Sequence, residues 1–454
     1  MLSPLADATY RRLFAAQVVA LAGTGLATVA LALLAYDLAG GDAGRVLGTA
    51  LALKMVAYVV VAPVVGGFAH RLPRRRLLVG LDLLRAAAVA CLPIVSEIWQ
   101  IYALIFVLSA GSAGFTPTFQ ATIPDILTDE RRYTRALSLS RLAYDLENLL
   151  SPTLAALALL VVSYDAFFAA NAVAFLVSAA LVLSSRLPAA KSQSRERGVL
   201  RNIGYGIAIY LKTPRLRGLL ALSLAVASAG AMVIVNTVVY VRDRLGAGET
   251  ETALALAAAG AGSMVVALAL PRLLDDWPDR PFMLAGGGLL GIGLLIGLAA
   301  PGWGGLLALW LALGVGLSLV QTPAGRLLRR SARDADRPAV YAAQFALSHG
   351  CWLIAYPLAG WLGLTTGFAV LAAIALAATG AAAALWPAND PVTLEHRHPA
   401  RDHEHLHVHD EHHQHEHEGW EGPEPHAHPH RHAPLRHSHA YVIDLHHPVW
   451  PTTR

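Results

Sequence analysis

Residues 46–76 read VLGTALALKMVAYVVVAPVVGGFAHRLPRRR, an apolar run closed by His70-Arg71-Leu72-Pro73-Arg74-Arg75-Arg76. About 20 mostly apolar residues cross a hydrocarbon core, and Lys54 is the lone charge within 46–69. Working outward, the same pattern recurs until twelve spans are placed, at 13–38, 46–69, 77–95, 98–121, 138–162, 166–186, 218–241, 251–274, 282–300, 304–323, 339–362 and 365–386. Composition agrees: 55% of residues are hydrophobic, 15% are charged, and mean hydropathy is +0.49. Cys91 and Cys351 both fall inside spans, which leaves no disulfide framework. No G-x-x-x-x-G-K-[ST] motif occurs, so a P-loop ATPase is excluded.

The basic residues alternate with the loops. Arg11 and Arg12 precede the first span, Arg71 to Arg76 follow the second, and Arg131, Arg132, Arg135 and Arg141 lie near the fifth. The long connection after span 6 and the loops after spans 8 and 10 are also basic, whereas the alternate loops hold only Arg45, Arg242 and Arg244. By the positive-inside rule both termini are expected in the cytoplasm of a bacterial inner membrane. The basic balance then needs no nucleic-acid partner; lipid is the surrounding partner, and a monomer is expected.

The chain also repeats. Pro73 and Pro278, and Pro152 and Pro357, are 205 residues apart; Asp37 and Asp243, and Pro117 and Pro323, are 206 apart. This predicts an all-α integral membrane fold of 12 transmembrane helices as two parallel-repeat six-helix bundles. The bounds are 1–189 and 218–386 for the bundles, 190–217 for a linker lying at the membrane interface, and 387–454 for a disordered cytoplasmic tail.

With this organisation the loop Gly66-Gly67-Phe68-Ala69-His70-Arg71-Leu72-Pro73-Arg74-Arg75 resembles the signature of major facilitator superfamily transporters. His70 stands where that pattern has aspartate and Pro73 where it has glycine. The resemblance implies a gating loop carried by Gly66, His70, Arg71, Arg74 and Arg75. Asp82-Leu83-Leu84-Arg85, Phe115-Thr116-Pro117 and Ile123-Pro124-Asp125 are similar to the branch with siderophore and macrolide exporters. Ser140 to Asn148 in span 5, together with the tail, resembles the NreB-type nickel-resistance exporters.

Charges at membrane depth cost about 2.5–3.5 kcal/mol each, so each needs a partner or a role. Asp82 and Arg85, three residues apart, read as a structural ion pair. Lys54 has no partner that the sequence identifies. At 100° per residue Ser140, Tyr144, Glu147 and Ser151 share one arc of span 5, while Arg141, Asp145 and Asn148 share the next. Asp145 has Arg141 within its own helix; Glu147 has no in-helix cation and is expected to be unpaired in the cavity. The repeat carries Tyr144 onto His349, whose face includes Phe345, Trp352 and Tyr356. Glu147, His349, Tyr144 and Asp145 are therefore the candidate transport site, with a hydrogen-bonded packing role the alternative for His349.

All but two of the 20 histidines lie in the tail: His396, His398, His403, His405, His407, His409, His412, His413, His415, His417, His426, His428, His430, His432, His437, His439, His446 and His447. Imidazole suits borderline divalent metals, and H-x-H spacing puts alternate rings on one side of an extended chain. A solubilising tail is the bland alternative. The leading function is non-enzymatic export of Ni(II), and also Co(II), by proton antiport for metal resistance, with Zn(II) a further transported or bound metal and no resident cofactor. The alternatives are export of an organic compound such as a siderophore, drug or metal chelate, or a non-transporting membrane-anchored metal store or sensor.

Overall fold

The apolar runs fold as long helices in the computed structural model. It describes residues 3–68, 73–127, 129, 132, 133, 136, 139, 140, 143, 147, 151, 154, 155, 157–188, 199–274, 276–333, 336–390, 393–398, 401–407, 426–432, 435–439, 441–443 and 450. Spans 1–4 are α1 (Ala8–Ala39), α2 (Ala43–Phe68), α3 (Arg74–Ala90) and α4 (Ile98–Ile126), and span 6 is α5 (Asp165–Leu183). The linker carries α6 (Val199–Lys212). Spans 7–12 are α7 (Pro214–Val239), α8 (Glu249–Leu273), α9 (Asp279–Gly297), α10 (Trp303–Arg330), α11 (Arg337–Trp361) and α12 (Gly363–Leu385). Span 5 is helical at residues 139, 140, 143, 147, 151, 154, 155, 157 and 158. A spanning helix satisfies its own backbone, which is why apolar runs of this length take that form.

The repeat of the sequence is a repeat of packing. In the first half α1 packs on α5, α2 on α4, and α3 on both α4 and α5; in the second, α7 packs on α12, α8 on α10, and α9 on both α10 and α12. Each half is further tied at its basic end. Arg74 at the start of α3 donates to Asp125 near the end of α4. Asp279 at the start of α9 accepts from Arg326 Nε near the end of α10 at 2.9 Å. Arg74 and Asp279 are 205 residues apart, so the two halves make the same tie with the charges exchanged.

The halves meet through α2 against α11 and α7, and α1 against α7. Among the described residues, every hydrogen bond joining them lies at the end opposite the basic loops. Tyr36 donates to Asp243, Arg242 Nη2 lies 3.4 Å from Asp37 Oδ1, and Trp361 Nε1 donates to Thr49 Oγ1 at 3.0 Å. Arg242 also sits 3.8 Å from Glu249, and Tyr164 donates to Asp37. Burial, and then that hydrogen bond, raises the Tyr164 phenol above its ordinary value. Gly44 and Gly48 bring the α2 backbone against Gly360: a Cβ on Gly360 would lie 2.4 Å from Gly44 O. Among described residues, the ties between the halves thus gather at the Asp37 end.

Two expectations change here. The linker helix does more than lie at the membrane surface: Ile209 and Tyr210 are buried, and the Tyr210 hydroxyl donates to Gln344 of α11. The tail, expected to be disordered, contains β1 (Leu394–His398), β2 (Arg401–His407), β3 (His426–His432) and β4 (Leu435–His439). β1 pairs antiparallel with β4 and β2 with β3. The physical reason is the period of H-x-H, which is that of a strand.

Candidate functional site

Halfway along the membrane helices, between the two halves, three ionisable side chains gather. Lys54 of α2 and Glu147 of span 5 lie within electrostatic reach of each other, and the charge of Lys54 also reaches His349 of α11. All three keep part of their surface exposed. The carboxylate whose charge reaches Lys54, which the sequence did not identify, is thus that of Glu147. Glu147, which has no cation on its own helix, feels the charge of Lys54 from α2.

The polar arc of span 5 runs along α1. Ser140 Oγ donates to Gln17 Oε1 at 2.9 Å. Further along, α1 passes the site at Gly25, where a Cβ would lie 1.8 Å from Ser151 Oγ and 3.1 Å from Glu147 Oε1. Any larger residue at Gly25 would push α1 off the carboxylate, so this glycine sets how closely Glu147 is walled. Tyr144 and Asp145 lie outside the described residues, as does Arg141.

His349 is held by its own helix and by aromatic rings. Its Nδ1 is 2.7 Å from the carbonyl oxygen of Phe345, which can only accept, so the proton is on Nδ1. In the neutral ring Nε2 then carries the lone pair. The ring lies 3.8 Å from Phe345 and 5.6 Å from Tyr58 of α2, centroid to centroid. Trp352 and Tyr356 pack together one and two turns on, with centroids 5.0 Å apart. A Cβ on Gly230 would lie 2.4 Å from Trp352, so α7 closes tightly on this face. A carboxylate, an amine and an imidazole with an open nitrogen, set among aromatic rings, can exchange protons and receive a cation or a polar aromatic group.

Elsewhere, Arg85 donates to Asp82, whose second oxygen accepts from Ser178 Oγ at 2.7 Å. The Arg85 guanidinium lies 4.2 Å from the Phe115 ring centroid and 4.4 Å from that of Phe175. Of the gating-loop residues, Gly66 lies in α2, Arg74 makes the tie to Asp125, Arg75 is exposed, and His70 and Arg71 lie outside the described residues. In the tail, His396 and His398 lie in β1, His403, His405 and His407 in β2, His426, His428, His430 and His432 in β3, and His437 and His439 in β4. His409, His412, His413, His415, His417, His446 and His447 lie outside the described residues. Among the described side chains, no group of three or more His, Cys, Asp or Glu is gathered as for a metal ion.

Residues 13–228 and 218–437 each match the model of the Major Facilitator Superfamily. The chain belongs to the Major Facilitator Superfamily. It is therefore a multi-pass membrane transporter of that type. Macrolide efflux protein A of Enterococcus faecalis is 28% identical over 190 residues, covering 39% of this chain and 58% of that protein. Macrolide efflux protein A of Streptococcus pyogenes is 27% identical over 205 residues, 44% of this chain and 50% of that protein. The chain thus matches only about half the length of these relatives. Among solved structures, the nucleoside transporter NupG gives a TM-score of 0.63 at 11% identity, covering 83% of this chain and 98% of that one. A bacterial homologue of the lysosomal transporter Spinster, inward-facing and unoccupied, gives 0.63 at 12% identity over 83% and 96%. At such identities the likeness is one of superfamily fold.

Proposed function

We propose that this superfamily member exports a divalent transition metal, Ni(II) and also Co(II), from the cytoplasm in exchange for protons. The observation that carries the reading is the meeting of Glu147, Lys54 and His349 between the halves. A dication shared by the Glu147 carboxylate and the His349 Nε2 lone pair is repelled by the Lys54 ammonium. It enters when Lys54 swings aside or gives up its proton, and the second route exchanges cation for proton at one site. The distribution of arginines supports cytoplasmic termini in a bacterial inner membrane. On that orientation the site is reached from the cytoplasm, and the histidines of the tail gather cargo beside the opening. A monomer suffices for this, and no resident cofactor is required.

A second reading is export of an organic compound, with the tail as a separate metal buffer. It is favoured by the rings of Tyr58, Phe345, Trp352 and Tyr356 around the site and by the likeness to macrolide efflux proteins. Everted membrane vesicles separate the readings. Nickel uptake that collapses with the pH gradient supports the first. Uptake of a dye or metal chelate without nickel uptake supports the second. Nickel held by the tail with no flux of any cargo refutes both and leaves a metal store.

A further inference from the structure

The two ends of the histidine tail are fastened to the same side chain. Arg215, at the start of α7 and only 4% exposed, donates from Nη1 to Asp390 Oδ1 at 3.0 Å and from Nη2 to the carbonyl oxygen of Tyr441 at 3.0 Å. Its Nε donates to Ser331 Oγ at 2.8 Å. Asp390 is the last part of the transmembrane body, held also by Trp386 Nε1 at 2.9 Å; Tyr441 lies beyond all four strands. The returning end is seated as well as bonded. Tyr441, Val442 and Ile443 are buried, and Trp450 packs edge-on to Tyr441 with its ring 4.9 Å from the Arg215 guanidinium carbon. This is an apolar plug in an otherwise polar tail.

Closing the ends fixes the register between them. Leu394 is the Cα partner of His439 and His396 of His437; in the inner pair His403 faces His430, His405 faces His428 and His407 faces His426. Successive positions of a strand alternate between its two faces, so these last six positions belong to one face of the ribbon by register. The other face pairs Asp402 with Arg431 and Leu406 with Ala427. Directly opposed residues have Cα atoms about 4.5–5.5 Å apart, a spacing at which two imidazoles reach one ion.

We propose that Arg215 and the Tyr441–Ile443 plug form a clasp that holds the tail as a closed hairpin, preorganising opposed histidines for a borderline divalent cation at the basic end of the second half. The metal part rests on the reading of the tail as a metal binder; the clasp itself does not. Pinning both ends raises the effective concentration of one strand at the other, which for tethered ligands is worth orders of magnitude in avidity.

The test uses the full chain in nanodiscs, with Cys91 and Cys351 replaced by serine. Leu394→Cys with His439→Cys places thiols at Cα partners within disulfide reach. Diamide should close this bridge readily, and adding Arg215→Gln should slow closure by about tenfold or more. Val442→Asp with Ile443→Asp undocks the plug while leaving Arg215 its Asp390 and Ser331 contacts, and should slow closure equally, which covers a failure of Arg215→Gln to fold. Both changes, made in the chain with all its histidines, should weaken nickel binding against a competing dye by about tenfold. Bridge closure at the unmodified rate in the plug variant would overturn the clasp. Normal closure with no nickel bound by the unsubstituted chain would instead overturn the metal reading and leave the clasp standing.

Discussion

Gly48→Ala is expected to loosen the closure at the Asp37 end. A Cβ there would lie 2.6 Å from the carbonyl oxygen of Tyr356, 3.1 Å from Gly360 Cα and 3.3 Å from Gly360 N. All three are backbone atoms, so no rotamer change relieves the overlap. The shortfall from ordinary van der Waals contact, which begins at 3.4 Å, is about 0.8 Å, and α2 must draw away from α11 by that order. Overpacking of this kind costs about 1–3 kcal/mol, and a form parted at this end escapes the penalty, so its population rises about 5- to 150-fold. Spin labels at Arg45→Cys and Gly302→Cys, one on each half at this end, read the change as a longer distance component by pulsed electron resonance. Gly380→Ala is the control, since a Cβ there meets nothing within 4 Å. Identical distance distributions for Gly48→Ala and Gly380→Ala would refute the close approach of α2 and α11 as the fastening of that end.

Three further outcomes follow from the site and the tail. Glu147→Gln should abolish proton-driven flux and also destabilise the protein by up to about 1 kcal/mol, because Lys54 loses the carboxylate within its electrostatic reach and both groups are partly exposed. Adding Lys54→Met should restore the protein's thermal midpoint but not flux; full stability of Glu147→Gln alone would contradict the electrostatic coupling of the two. Nickel bound to the full chain, read by equilibrium dialysis, should fall steeply from about pH 7.5 to 5.5, because an ordinary imidazole protonates near about 6.5 and only its neutral form ligates; a flat profile would assign the metal to carboxylates. Removing residues from 393 onward should keep basal vesicle transport, since the membrane helices precede that point, while lowering cell growth at high metal; complete loss of transport at normal membrane levels would place the site in the tail.

The membrane part was legible because its determinant is local. An apolar run of bilayer length has one stable form, and the predicted spans differ from the helices by a few residues, as at 339–362 against Arg337–Trp361. The site was only partly legible. Periodicity placed Glu147 and Ser151 on one arc, but could not say that α1 runs against that arc at Gly25, nor that the charge of Lys54, 93 positions earlier, reaches the carboxylate. Which helix neighbours which is set by tertiary packing, and one helix's angular pattern does not contain it. In the tail the polar composition argued for disorder while the H-x-H period argued for strands. Composition also gave no reason to expect that Tyr441, Val442 and Ile443, a short apolar stretch beyond the strands, would be buried.

The exchanged charges at the basic end bear on how a duplicated chain avoids misassembly. Two halves with the same helix order offer each helix two docking places, its own and that of its counterpart. Were α3 to seat against α10, Arg74 would meet Arg326; were α9 to seat against α4, Asp279 would meet Asp125. Both wrong pairings oppose like charges at a partly buried helix end, where no partner is left to neutralise them. Reversing the polarity of one tie therefore leaves each native half as well held as before and penalises only the crossed product, a form of discrimination by repulsion. Two bundles descended from a common pattern can then be made from one continuous chain without exchanging helices as they insert.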